Sequence, residues 1–445
     1  MRVNALVVMA LAGVVAGCGS IADLNPFGTK DIVLTGERET VFATNTQMIS
    51  QDAMRPASIS PARTNSDWPQ PGGNAQNDPG HVAFAGGGSR AWRAQVGGSA
   101  LASISSVTRR GSARVSARPV VSGDRVFVYA PDGTVTALSV SSGSRVWRTS
   151  LRPEKEGDPA AGGGVTVANG RVFVATGYGE AAALSAANGE VIWRKSIDTP
   201  ARSAPTAGAG KIFVVSQKNQ VFALNQEDGA EAFNYSGIPE QAGLVAASSP
   251  AVAGDKVVIP YSSGEVMAFS VESGEPQWQE FVTRSMRTLA VSGLTDVSGS
   301  PVIEDGVVYA TGVAGRTIAV SLSSGEMRWE RNIGSAHTPV VSGNAVFMVD
   351  LGDRMVALDK GTGETLWMTA LPKPKKKRDG TYAGPVLAGG SLYAVSNDGR
   401  LAQVDPVSGK LVSDRNIGSS AYTSPIVARG QMIFVSDAGE ITALR

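Results

Sequence analysis

Short apolar runs separated by polar turns recur along most of the chain. Runs of four or five residues rich in Val, Ile and Phe, such as residues 126–129, alternate with turns of Gly, Asn and Asp. β-Branched and aromatic residues between such turns favour antiparallel β-strands. Glycine supplies 53 of the 445 residues, about 12% where about 7% is usual. The pattern predicts many short strands joined by tight turns rather than a helical protein.

The predicted strands form an internal repeat. Residues 118–148, 300–330 and 338–368 share one order of parts: a Pro near the start, a short apolar strand, two further strands, and a last strand that carries Trp. The turn before the last strand allows a count, because a glycine there is followed four positions later by an aromatic residue or, once, by Ser. The pairs are Gly143 and Trp147, Gly189 and Trp193, Gly229 and Phe233, Gly274 and Trp278, Gly325 and Trp329, Gly363 and Trp367, and Gly409 and Ser413. These positions are 38 to 51 residues apart and indicate seven units.

An eighth unit is divided between the two ends of the repeat region. It begins at Ser424 and stops at Arg445 after three predicted strands, whereas residues 91–95, around Trp92, match the Trp strand of the other units. A radial ring buries both faces of each sheet, and Trp supplies a large apolar plate between neighbours. We therefore predict an all-β, eight-bladed β-propeller with four antiparallel strands per blade, whose last blade is closed by an N-terminal strand. Seven blades or an open stack of β units are the alternatives.

The N-terminus has the pattern of an export signal. Arg2 precedes a short apolar stretch, residues 5–15, and then come Val15-Ala16-Gly17 and Cys18, the single cysteine of the chain. This resembles the bacterial lipobox, which implies removal of residues 1–17, acylation of Cys18 and firm membrane anchoring. The absence of Asp after the cysteine favours the periplasmic face of the outer membrane. The alternative is a plain export signal that contains a cysteine.

These features divide the chain into three parts. Residues 1–17 are predicted to be the signal peptide, residues 18–65 a flexible tether without sustained periodicity, and residues 66–445 the propeller. Within the tether, residues 31–42 could pair or dock, or could equally be a mobile linker segment.

Charge and residue counts limit the chemistry. The formal net charge is +1, which argues against an overall basic nucleic-acid binder. One cysteine excludes an intrachain disulfide, and two separated histidines exclude a multi-histidine metal site or a credible Ser/His/Asp triad. We expect His81 in a solvated loop and His337 in a structural role at a strand start. No catalytic residue, metal or cofactor is predicted.

The repeat resembles the pyrroloquinoline-quinone-type propeller repeat, whose pattern is A-x-D-x-x-x-G-x-x-x-W. Residues 357–367, with Ala357, Asp359, Gly363 and Trp367, fit it best. Two families share this repeat: quinoprotein dehydrogenases and the BamB family of outer-membrane assembly lipoproteins. The lipobox, the tether, residues 67–74 and the eight units together resemble the BamB family. That resemblance implies a non-catalytic scaffold that binds the periplasmic POTRA domains of the barrel insertase BamA and assists insertion of outer-membrane proteins.

The same resemblance suggests partner-binding residues. The BamB family carries an L-x-D-V-D-x-x-P stretch in an interblade loop, and Leu294 and Asp296 match it, whereas Ser298 replaces the second Asp. An exposed leucine beside a carboxylate suits a partner with an apolar pocket and a basic group. The alternative is an ordinary turn in which Asp296 bonds nearby backbone amides. Arg202 lies near a second family contact, although the Leu-x-Leu-Arg pattern of the family is not reproduced.

Other functions stay open at this point. A quinoprotein dehydrogenase would hold a quinone with Ca²⁺, which needs six to eight oxygen ligands, but the acidic residues here are scattered among turns. A propeller that binds cell wall or polysaccharide is a further alternative, because one fold hosts many functions. The basic run from Lys373 to Arg378 suits either a solvated loop or a contact to anionic lipid or an acidic protein.

Overall fold

The strands of this protein form one ring of sheets. The computed structural model describes residues 54–86, 89–96, 115, 117–239, 248–283, 296–373, 381–436 and 438–445. Within these ranges 32 strands form eight four-stranded antiparallel sheets. No described helix has the length and apolar character needed to cross a membrane. Cys18, Leu294 and residues 374–378 lie outside the described residues.

The first strand along the chain, β1 (Arg90–Gln95), belongs to the last sheet. Blade 1 contains β2 (Val120–Ser122), β3 (Arg125–Tyr129), β4 (Thr134–Ser139) and β5 (Arg145–Ser150). Blade 2 contains β6 (Gly163–Ala168), β7 (Arg171–Thr176), β8 (Glu180–Ser185) and β9 (Val191–Ser196). Blade 3 contains β10 (Thr206–Gly208), β11 (Lys211–Val215), β12 (Gln220–Asn225) and β13 (Glu231–Ser236).

The remaining blades follow in the same order. Blade 4 contains β14 (Ala251–Ala253), β15 (Lys256–Pro260), β16 (Glu265–Ser270) and β17 (Pro276–Phe281). Blade 5 contains β18 (Val302–Glu304), β19 (Val307–Thr311), β20 (Thr317–Ser321) and β21 (Met327–Arg331). Blade 6 contains β22 (Val340–Ser342), β23 (Ala345–Val349), β24 (Arg354–Asp359) and β25 (Thr365–Ala370). Blade 7 contains β26 (Tyr382–Ala388), β27 (Ser391–Ser396), β28 (Arg400–Val404) and β29 (Leu411–Asn416). Blade 8 contains β30 (Ile426–Ala428), β31 (Gln431–Val435) and β32 (Glu440–Leu444), with β1.

The predicted closure of the ring is confirmed. Strand β1 pairs antiparallel with β32, and Trp92 lies opposite Ala443. The eight blades and the four antiparallel strands per blade are confirmed with it. Because the first and last strands share a sheet, backbone hydrogen bonds between the two ends hold the circle closed.

The first strands of successive blades contact one another and so surround the ring axis. The strands of each blade are therefore named A to D from the axis outward. Antiparallel order then places the A–B and C–D turns on one face of the ring, which we call the turn face. The B–C turns and the D–A connections between blades lie on the opposite face, which we call the loop face.

Residues 54–86, the N-terminal segment, cross the turn face and contact every blade. Its backbone and polar side chains bond to the inner strands or A–B turns of all eight sheets. The bonded pairs are Trp68 with Val121, Pro69 with Val167, Gln70 with Ala207, Ala75 with Val252, Gln76 with Ile303, Ser58 with Asn344, Val82 with Leu387 and Asn65 with Arg429. Residues 54–65 were expected to belong to the tether, and here the expectation is wrong, because Arg55 and Ala57 also bond to the ring backbone.

Three polar side chains of the N-terminal segment are buried within these contacts: Gln70, Asn77 and His81. Asn77 is 1% exposed, and its Nδ2 donates to the carbonyl oxygens of Pro250 and Pro301, each at 3.0 Å. His81 is also buried: its Nδ1 lies 2.7 Å from the carbonyl oxygen of Ser60, and its Nε2 accepts from Gly390 N at 2.9 Å. The expected solvated position of His81 is therefore wrong, because both ring nitrogens are satisfied by backbone groups.

Candidate functional site

Two of the predicted partner-binding residues lie on D–A connections of the loop face. Arg202 lies in the connection from β9 to β10, and Asp296 in the connection from β17 to β18. Each connection ends in a Pro that precedes an A strand, so its last residues are carried toward the ring axis. Leu294, the third predicted residue, lies outside the described residues.

Arg202 and Asp296 form one buried ion pair. Arg202 Nη2 donates to Asp296 Oδ1 and to the carbonyl oxygen of Val297 at 3.1 Å. The two side chains are only 2% and 1% exposed. The sequence suggested a carboxylate beside an exposed leucine, suited to a basic group of a partner, and the carboxylate of Asp296 is buried. A buried carboxylate must be paired, and here the pairing cation comes from the same chain. Any role of the two residues toward a partner stays a prediction.

The ion pair links connections that are distant in sequence. Its residues are 94 positions apart and lead into blades 3 and 5, so the pair spans the start of blade 4. Burial lowers the pKa of Arg202, and the charge and hydrogen bond of Asp296 act against that shift. Val297 N, next to the carboxylate, donates to the carbonyl oxygen of Tyr261 at 3.2 Å. These bonds fix the base of the connection that carries Leu294.

Arg118 is a second buried arginine; it ends a D–A connection, its guanidinium reaches the N-terminal segment, and its partners are neutral. It is 8% exposed; Nη1 donates to Pro71 O at 3.3 Å and Nη2 to Ser424 Oγ at 3.0 Å. Burial lowers its pKa to about 10, so it stays charged at neutral pH. In the described part of the chain no carboxylate lies within ion-pair distance of this guanidinium.

His337 lies close enough to Arg118 to sense its charge. Burial, and then the Arg118 guanidinium, lower the pKa of His337 to about 4. The imidazole is therefore neutral at pH 7. Because the folded pKa lies below the ordinary value of 6.5, the stability that this neutral form contributes is present above pH 6.5 and is lost as the pH falls toward 4.

Sequence reasoning did not assign a role to Arg118, although a signal for it was present. The residue before the Pro that opens an A strand is small or hydroxylated in the other units that carry this Pro: Ala204, Ser249, Ser300, Thr338, Gly384 and Ser424. In blade 1 the same position holds Arg118. A large cation at a position that holds a small or hydroxylated residue in the other units indicates that Arg118 has a role specific to blade 1.

The described residues contain no group of three or more His, Cys, Asp or Glu that could hold a metal ion. The buried charged groups of the D–A connections are instead two guanidinium cations, Arg118 and Arg202, and one carboxylate, Asp296, with buried hydroxyls beside them. Such a set can bind charged or polar groups.

Known proteins match this chain over most of the ring. The family model described as outer membrane protein assembly factor BamB matches residues 78–160, 131–369 and 352–445. A relative of that name from Yersinia pestis is 29% identical over 332 residues, which cover 73% of this chain and 83% of the relative. The Escherichia coli relative is 28% identical, with 71% and 81% covered. The Vibrio cholerae relative is 40% identical over 48% of this chain and 55% of its own length.

Solved structures match the fold. BamB from Moraxella catarrhalis has a TM-score of 0.62 at 19% identity and covers 79% of this chain and 97% of its own. A quinohemoprotein alcohol dehydrogenase from Comamonas testosteroni has a TM-score of 0.66 at 13% identity, with 86% and 81% covered. At such identities the likeness shows the propeller fold alone.

Proposed function

The chain belongs to the family of outer membrane protein assembly factor BamB, and from this premise we propose that it is a non-catalytic scaffold for the assembly of outer-membrane proteins. The observation that carries the proposal is the extent of the family match, which covers the ring from residue 78 to residue 445. Acylated Cys18 holds the protein at the periplasmic face of the outer membrane, and residues 18–53 tether the ring to it.

The proposed partner is a POTRA domain of a BamA-type insertase, bound at the loop face. Leu294 supplies an apolar contact from the connection before blade 5. The Arg202–Asp296 pair acts as a positioning element, because it fixes the base of that connection from beneath rather than facing the partner. Specific association of this kind relies on a few buried apolar contacts surrounded by polar groups.

Capture of the insertase from detergent-solubilised outer membrane tests the partner. The full lipoprotein is expected to retain BamA under mild conditions, and Leu294→Ala is expected to weaken capture about tenfold, the effect of losing about 1.4 kcal/mol. The matched control is Leu351→Ala, since Leu351 is 51% exposed on a B–C turn of the same face. Failure of the wild-type protein to retain BamA would count against the proposal, and equal loss in both variants would remove Leu294 from the site.

The buried position of Asp296 changes how that residue is tested. Charge reversal at Asp296 would place a second cation beside Arg202, and unfolding would obscure any effect on binding. Asp296→Asn keeps the shape and removes the charge. We expect it to lower both the melting temperature and the capture of BamA; a lower melting temperature with unchanged capture would confine the residue to stability.

The anchor is tested by fractionation. Cys18→Ala is expected to leave the protein in the soluble periplasmic fraction, whereas the wild-type protein sediments with outer membrane. Sedimentation of the variant with the membrane would show that another feature anchors the chain.

The enzymatic alternative is tested by reconstitution. Pyrroloquinoline quinone and Ca²⁺ are added to the purified protein with alcohol substrates and a redox dye. No dye reduction above a protein-free control is expected, and turnover would revive the dehydrogenase alternative.

A further inference from the structure

Several buried polar atoms on the loop face have no hydrogen-bond partner in the described part of the chain. They belong to residues that lie one to three positions before the Pro of an A strand. The atoms are Arg118 Nε, Arg202 Nε and Nη1, Ser298 Oγ and Thr423 Oγ1. Each of these residues is less than 9% exposed. Buried polar groups are normally hydrogen-bonded, so such a cluster indicates a place that another molecule completes.

Three of these residues, Arg118, Arg202 and Thr423, lie on connections that approach one another near the ring axis. Arg118 Nη2 bonds to Ser424 Oγ, which joins the starts of blades 1 and 8 and places Arg118 beside the residue that follows Thr423. Blades 1 and 3 also approach each other: a Cβ added to Gly164, on β6, would lie 2.6 Å from Ala204 Cβ and 3.2 Å from Ala117 Cβ. The ends of the Arg118 and Arg202 connections therefore lie on either side of Gly164, on the inner strand of blade 2.

The charges at this convergence do not balance. Two guanidinium cations, Arg118 and Arg202, are buried there, and the carboxylate of Asp296 pairs with Arg202. Arg118 donates to neutral oxygens only. A buried cation without a counter-charge is costly, and a charge-assisted hydrogen bond to an anion is about twice as strong as a bond between neutral groups.

We infer that a small oxyanion, a carboxylate or a phosphate, binds near the ring axis through Arg118 Nε and Thr423 Oγ1, where D–A connections meet the N-terminal segment. A guanidinium edge and a hydroxyl suit a ligand with several oxygen acceptors. This inference rests on the residues of the axis and is independent of the proposed scaffold function.

The site is located by crystallography on the full lipoprotein in detergent. Crystals grown without sulfate, phosphate or carboxylate buffers are soaked in sodium selenate, an oxyanion that scatters anomalously. We expect a selenium peak with an oxygen about 3 Å from Arg118 Nε. An ordered water alone at that atom after soaking would overturn the inference.

Binding is measured in solution by calorimetry at constant ionic strength. Sodium phosphate and sodium acetate are titrated separately, so that the two ligand chemistries are distinguished; binding of either supports the site, and binding of neither overturns it. Arg118→Gln is expected to weaken binding at least tenfold. The matched control, Arg145→Gln, changes an exposed arginine of β5 and should leave binding unchanged. Equal affinity in wild type and Arg118→Gln would also overturn the inference.

Arg118 also supports Pro71 of the N-terminal segment, so its replacement could impair folding. Thr423→Val keeps the shape of the side chain and removes only the hydroxyl whose oxygen lacks a partner. We expect this variant to fold and to bind the anion several-fold more weakly than wild type. Unchanged binding in a folded Thr423→Val protein would exclude the hydroxyl from the site, and together with unchanged binding in Arg118→Gln would place the anion elsewhere.

Discussion

The interface between blades 7 and 8 is built differently from the other seven interfaces of the ring. Elsewhere an aromatic side chain on strand D packs on a glycine in the C–D turn of the next blade. The pairs are Trp92 on Gly143, Trp147 on Gly189, Trp193 on Gly229, Phe233 on Gly274, Trp278 on Gly325, Trp329 on Gly363 and Trp367 on Gly409. In blade 7 the aromatic position is Ser413. Blade 8 has no C–D turn to receive a ring, because its strand D is β1 and its strand C ends the chain.

The register shows that the change at this interface is coordinated. In blade 6, Phe347, Ala357 and Trp367 lie side by side on strands B, C and D. The equivalent residues of blade 7 are Tyr393, Gln403 and Ser413. The glutamine fills the space beneath the missing indole: Ser413 Oγ donates to Gln403 Oε1 at 2.9 Å, and Gln403 Nε2 donates to Ser391 Oγ at 3.0 Å.

The N-terminal segment supplies the aromatic partner that blade 7 lacks. In blade 6 the Phe347 ring lies 5.9 Å from the Trp367 ring, and Tyr393 instead meets the Phe84 ring at 5.8 Å and 87°. Phe84 and Val82 belong to the same apolar cluster as the strands of blades 7 and 8. Because β1 completes blade 8, that blade has no C–D turn, and one aromatic contact between blades is lost. Hydrogen bonds through Gln403 and the docked Phe84 take its place.

Removal of an indole from one of the seven aromatic–glycine contacts between blades should have the largest effect on stability. Trp367 is fully buried, and its Nε1 donates to Pro406 O at 3.0 Å. Trp367→Ala is expected to lower the free energy of unfolding by about 4 kcal/mol, through the cavity and the lost hydrogen bond. Urea denaturation measures it. A loss below about 1 kcal/mol would show that the aromatic–glycine contacts do not stabilise the ring.

Phe84→Ala tests whether the docked N-terminal segment replaces the aromatic contact that is missing between blades 7 and 8. Phe84 is 8% exposed, and we expect a loss of about 3 kcal/mol in the free energy of unfolding. Limited proteolysis should then cut within residues 54–86 faster than in the wild type. The exposed control Leu351→Ala should change neither measurement, and an equally small effect of both variants would contradict the role given to Phe84.

Each of these glycines both contacts an aromatic ring and adopts a positive φ, and the two requirements can be tested separately. Gly409 and Gly430 have φ of +72° and +69°, and a Cβ would lie 2.7 Å from the Trp367 ring at Gly409 but meet nothing within 4 Å at Gly430. Both Ala variants carry the strain of positive φ, about 1 kcal/mol. Gly409→Ala should cost about 1–2 kcal/mol more, because the ring must move. Equal melting temperatures would show that the turn, and not the ring contact, requires the glycine.

Ser413→Ala should have the smallest effect. The serine is partly exposed and contributes one hydrogen bond to the polar chain at the blade 7–8 interface, so its loss should cost less than about 1 kcal/mol. Chemical denaturation of the variant beside Trp367→Ala measures the contrast between the two kinds of joint. Comparable losses would mean that the polar chain is as important as an indole.

Much of the fold was predictable from local patterns. The glycine-to-aromatic spacing gives the number of blades, and Trp92 with its neighbours marks the closing strand, because each unit repeats the same strand and turn chemistry. The N-terminal segment was not predictable in this way. Residues 54–86 have no strand periodicity, and their bonds go to partners scattered over the whole chain, such as Gly390 for His81.

The candidate site divides in the same manner. The residue types before each A strand can be read from the sequence, so the unusual Arg118 and both Arg202 and Asp296 were visible there. That Arg202 and Asp296 are buried and paired follows from the fold, because the ring brings together connections whose residues are 94 positions apart. The burial and pairing of these side chains depend on residues contributed by other blades, and therefore on the closed ring rather than on any one repeat.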